Sequence, residues 1–105
     1  MLFRSASLRF IYANPSIKLL RLSAQQGFSD AYLMLGLAYM NLKEAPQDLV
    51  QADMWLRLAA ADGDRLGSGQ LAKLESQMSN GQIARARAMS GSWKRKYALR
   101  AAEVK

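Results

Sequence analysis

The sequence contains neither cysteine nor histidine. Without thiols there is no disulfide framework and no thiolate metal site. Without imidazole there is no Ser-His-Asp or Cys-His machinery, no histidine zinc site and no access to the commonest general base. The same lack of cysteine leaves the redox compartment open. Proline occurs only twice, and no stretch alternates β-branched and polar residues as strands do. An all-α fold follows. Long apolar runs are missing too: the longest uncharged apolar segment, residues 31–42, is far short of the roughly 18 residues a membrane span needs. A secretory signal needs an unbroken apolar stretch of roughly 7–15 residues, and Arg4 and Arg9 interrupt the only place for one. The chain therefore reads as soluble, with a cytoplasmic location favoured.

Charge is abundant but uneven. The 105 residues carry a formal net charge of +7. Residues 1–29 hold Arg4, Arg9, Lys18 and Arg21 and no acid, a net +4. Residues 30–84 hold seven acids against four bases, a net −3, and residues 85–105 hold seven bases against Glu103, a net +6. A mildly acidic middle lies between two basic ends. Such ends suit solvated helix faces, or contact with nucleic acid, anionic lipid or an acidic partner.

The most regular pattern runs over residues 31–63. Ala31, Leu35, Ala38, Tyr39 and Leu42 form the apolar stripe of one helix. Gly36 lies beside that stripe, where a missing side chain admits another helix at close range. Ala52, Trp55, Leu56 and Ala59 repeat the helical spacing. Two short amphipathic helices with a small residue at their crossing read as an αα-hairpin. The pattern also recurs. Leu20, Leu22, Ala24 and Gly27 return as Leu56, Leu58, Ala60 and Gly63, an offset of 36 residues, and Leu19 falls where Trp55 falls. At the same offset Leu35-Gly36 becomes Leu71-Ala72. A period of this size belongs to helical-hairpin solenoids.

The set Ala31, Leu35-Gly36, Tyr39, Asp48, Ala52, Trp55, Ala59-Ala60 and Gly63 resembles the Sel-one-like repeat, a relative of the tetratricopeptide repeat. That family spaces Ala, Leu-Gly and Tyr on its first helix and Asp, Ala, Trp, Ala-Ala and Gly through its second. The loop departs from the family pattern, with residues 41–47 standing where a Gly-x-Gly-Val step is usual. Ile83-Ala84 followed by Trp93 resembles the segment with which family members often close. The resemblance implies a short right-handed αα-hairpin solenoid with a C-terminal capping helix. It also implies a non-catalytic scaffold whose first helices line a concave groove for a partner's peptide or helix.

Local signals set the boundaries. Asn14 caps and Pro15 begins a helix over 16–26, which Gly27 ends in the left-handed conformation. Ser29 or Asp30 opens the next helix, and Asp48 with Gln51 predicts a capping pair for the one after. Asp64 caps a helix over 65–77, which Gly67 and Gly69 weaken by roughly 1 kcal/mol each, so that its start frays. Ser79 and Gln82 predict a capping box for a helix through Ile83, Ala86 and Met89 to Trp93, with Gly91-Ser92 as a place for a kink. A loosely held basic tail follows. Residues 1–13 fit two readings. Leu8, Tyr12 and Asn14 match Leu35, Tyr39 and Asn41, which makes the segment a worn first helix, with Arg9 where Gly36 has its counterpart. Alternatively, its basic, serine-containing, acid-free composition is that of a targeting segment. The single domain 1–105 thus divides into a degenerate repeat over 1–27, the best-matched repeat over 28–63, a partial repeat over 64–78, and a cap with basic tail over 79–105.

Two surfaces stand out as functional candidates. Leu33, Leu37 and Met40 form a second apolar stripe that continues, one period on, with Gly69, Lys73 and Ser76. This is the expected binding face for a protein partner; the competing reading buries the three apolar residues beneath the N-terminal segment. Arg85, Arg87, Lys94, Arg95, Lys96 and Arg100, with Tyr97 nearby, form a basic patch that is the alternative site, for nucleic acid or an anionic surface. Trp55 and Trp93 read as packing residues. Asp62 and Asp64 flank Gly63 between two helices, where Asp64 reads as a cap for the following helix rather than as half of a catalytic pair. No cofactor or metal is implied, and enzymatic activity would require an acid pair with a raised pKa.

Overall fold

The computed structural model describes residues 15–41 and 46–98, and among these every regular element is helical. Five helices follow one another: α1 (Pro15–Gln25), α2 (Ser29–Met40), α3 (Pro46–Ala61), α4 (Arg65–Glu75) and α5 (Asn80–Trp93), the last continued by a π-helical turn over Lys94–Ala98. Both readings of residues 1–13, the loop over 42–45 and Arg100 lie outside the described residues.

Helix ends follow from local chemistry. Gly27 and Gly63 both adopt φ of 90°, a conformation open to glycine because it has no Cβ. Their surroundings match bond for bond at the offset of 36 residues. Phe28 N–H donates to the Ser23 carbonyl at 3.2 Å, and Asp64 N–H donates to the Ala59 carbonyl at 3.1 Å. Gly27 N–H and Gly63 N–H reach the Ala24 and Ala60 carbonyls, each at 3.0 Å. The Asp64 carboxylate accepts from Gly67 N–H at 3.0 Å and caps α4. Ser79 and Gln82 form the reciprocal box that opens α5.

Three expectations need correction. Helix α3 begins at Pro46, so Asp48 lies inside its first turn rather than capping it. Proline suits a first helical position because its missing N–H would be unpaired there. Gly67 does not fray α4. It is buried, and a Cβ built on it would lie 3.0 Å from the Ala59 Cβ, so its bareness lets α4 approach α3. Nor does Gly91-Ser92 kink α5, which runs unbroken to Trp93; the departure from α-helical winding comes afterwards, in the π-turn.

Helix α3 is the centre of the packing. It lies against α2, α4 and α5, while α1 packs on α2. Accordingly α3 is buried on all sides, through Val50, Ala52, Met54, Trp55, Leu56, Leu58 and Ala59. Ala31, Leu35 and Tyr39 on α2 complete this core, as their spacing predicts; Ala38 is half-buried. Gly36 sits at the α2–α3 crossing, where an added Cβ would fall 2.6 Å from Leu56 Cδ2. The Arg21 guanidinium on α1 donates to the Tyr39 hydroxyl and lies 5.8 Å from the centre of its ring, which ties α1 to α2. Among the described residues no helix is long and apolar enough to cross a membrane.

Candidate interaction surfaces

Trp55 and Trp93 anchor a run of aromatic rings. Tyr32 on α2 stacks on Trp55 with ring centres 6.1 Å apart, and Trp93 meets Trp55 edge-on at 4.7 Å. Tyr97 in the π-turn then lies tilted against Trp93 at 4.1 Å. The first two contacts bury Trp55, as expected for a packing residue. Trp93 does more than pack. Together with Met54, Met89 and Tyr97 it forms the apolar floor of an open groove of about 480 Å³ between α3, α5 and the π-turn. Arg85 and Lys96 also line this groove. The Lys96 ammonium lies 5.3 Å from the centre of the Tyr97 ring.

The basic patch is thereby divided. Arg85 and Lys96 belong to the groove, and Lys94 and Arg95 are exposed beside it. Arg87, also exposed, acts electrostatically on Asp53 in α3. Sequence spacing carries a signal for the groove that the reading by charge alone missed. Arg85, Met89, Trp93 and Lys96 fall at i, i+4, i+8 and i+11, one stripe of a helix.

The second apolar stripe of α2 is not a free groove. Leu33 and Met40 are partly buried and pack against the core cluster, and Leu37 is half-buried. Lys73 and Ser76 on the α4 side are exposed, and Ser76 Oγ donates to the Lys73 carbonyl at 2.6 Å. Among the described residues the exposed large apolar side chains lie elsewhere, at Leu19, Leu22, Phe28, Met34 and Leu66.

Leu19 and Leu22 are informative because the internal repeat supplies their counterparts. Leu19 is 65% exposed and Leu22 53%, whereas Trp55 and Leu58, 36 residues on, are 2% and 3% exposed. Helix α1 buries Ile17 and Ala24 on one side. Leu19 and Leu22 stand on the other, since two and five positions from Ile17 turn them by about 200° and 140° at 100° per residue. A helix apolar on two faces is built to be covered on two faces. Only one is covered by the described elements.

Asp53 is the buried charge of the molecule's centre. Its Oδ1 accepts from Arg57 Nε at 3.2 Å and pairs with Arg57 Nη2 at 3.1 Å. Arg57 Nη2 also reaches Glu75 Oε2 on α4 at 3.3 Å. Burial pushes the Asp53 carboxyl above the ordinary carboxylate range; the Arg57 guanidinium opposes that, Glu75 reinforces it and Arg87 opposes it. Two carboxylates thus share one arginine, and the one raised is that of Asp53. Asp53 is completely buried, so the carboxylate is out of reach of a substrate; it holds Arg57, whose contact with Glu75 fastens α3 to α4. Asp62 and Asp64 are occupied as well: Asp62 accepts from Ser29 Oγ at 2.6 Å, and Asp64 caps α4. Among the described residues no three acidic side chains converge as a metal site.

No family model matches the chain, and searches of curated proteins and of solved structures find no match.

Proposed function

We propose that the chain is a non-catalytic adaptor of the Sel-one-like type that takes a helix from a protein partner. The observation that carries this reading is the face of α1 that the described elements leave uncovered. Leu19 and Leu22 occupy the register of Trp55 and Leu58, yet only the latter are buried. What covers Trp55 is helical on both sides, through Tyr32 of α2 and Trp93 of α5. An apolar helix presenting similar side chains is therefore the occupant that the register calls for. The identical caps at Gly27 and Gly63 and the Gly36–Leu56 approach support the repeat assignment. The docking face differs from the concave stripe expected at Leu33, Leu37 and Met40, because two of those residues already serve the core.

A photocrosslinking amino acid at position 19 tests the reading in cells. Crosslinks to a helical segment of one protein, lost on Leu22→Glu in a variant that still folds, are the expected result. Crosslinks confined to this chain, or joining two copies of it, would overturn it.

A further inference from the structure

The groove at the opposite end of the described chain has its own chemistry, independent of the α1 face. Its floor is apolar and adaptable: Met54 and Met89 are unbranched and polarisable, and Trp93 and Tyr97 offer ring surface. Its cations stand at the two ends of one stripe. Arg85 and Lys96 are 11 residues apart, about three turns, and Met89 and Trp93 lie between them. Lys94 and Arg95 are exposed nearby, so this end of the described chain carries positive potential. The π-turn contributes directly, since Lys96 and Tyr97 lie within it. Such turns are rare and concentrate at functional positions.

We infer that this groove binds an acidic amphipathic helix: a protein segment with an apolar stripe and a carboxylate at each end of it, about three turns apart. A ligand of that form matches the site in length, in the order of charge and apolar surface, and in sign. Nucleic acid matches only the charge and the rings, and an anionic membrane matches charge and apolar surface but presents no ridge to fill a groove.

A fluorescein-labelled synthetic helix provides the probe, with glutamates 11 positions apart on one face and leucines between them. Its binding to the full chain is followed by fluorescence anisotropy at low and high salt. The expected result is saturable binding that weakens in salt and drops about tenfold in Arg85→Glu and in Lys96→Glu. A twin peptide with lysine for each glutamate should bind only the doubly reversed variant. Three results would each overturn the inference: no binding of the acidic helix, equal binding of its lysine twin to the unaltered chain, or displacement of the helix by oligothymidylate or by phosphatidylserine vesicles at lower concentration. Leu19→Glu with Leu22→Glu leaves this affinity unchanged, which keeps the test separate from the fate of the α1 reading.

Discussion

At the scale of single residues, Asp53 and Arg57 decide the most. The Asp53 carboxyl has a raised pKa in the folded chain, against an ordinary value of 3.8. Between those two values the folded state binds more protons than the unfolded state. Stability from this group is therefore gained on acidification and lost as pH rises through the folded pKa. Asp53→Asn removes that contribution. The stability of the parent relative to Asp53→Asn should rise as pH is lowered from 7 toward 4, measured by urea unfolding at each pH; a fall would contradict the assignment. Arg57→Ala should cost about 3 kcal/mol at neutral pH, because it leaves a buried carboxylate without its counter-charge. Little of this was legible beforehand. Asp53 sits beside Trp55 in a helix whose apolar stripe was evident, but burial of its flank depends on α4 and Glu75, which come from elsewhere in the chain.

At the scale of elements, glycine acts in opposite senses in two helices. Gly36 lies at a crossing where a Cβ would meet Leu56 at 2.6 Å, whereas nothing lies within 4 Å of a Cβ on Gly69. Gly36→Ala should therefore lower stability by about 2 kcal/mol through overpacking. Gly69→Ala should raise it by about 1 kcal/mol, through helix propensity alone. Thermal unfolding of the two variants distinguishes packing from propensity by sign. The capping box offers an independent check on α5. Ser79→Ala removes the acceptor for Gln82 N–H, 3.1 Å away, and should cost about 1 kcal/mol. The crossing at Gly36 and the box at Ser79 were both visible in the sequence, because each follows from a few neighbouring residues. The role of Gly67 was not, since its contact is with Ala59 on another helix.

At the scale of the whole molecule, the internal repeat supplies matched positions with opposite fates. Trp55→Ala should cost about 4 kcal/mol, as truncation of a fully packed ring does. Leu19→Glu with Leu22→Glu should change stability by no more than about 0.5 kcal/mol, because both side chains are exposed. Denaturant midpoints for the two variants test whether the α1 face is open in solution. A large loss in the leucine variant would mean that something in the free chain already covers it.

The sequence by itself determined what depends on short-range backbone chemistry: the helical class, the left-handed end at Gly27, the caps at Asp64 and Ser79, and the apolar stripe of α2. These follow from which φ values a residue allows and which side chain reaches a free amide, and both are settled within a few residues. Tertiary structure alone decided which apolar faces are covered. Leu22 and Leu58 share a register and a side chain and differ in their neighbours, and exclusion of water is a property of neighbours. For the same reason the groove over Met54 and Trp93 came into view only once α3, α5 and the π-turn were brought together.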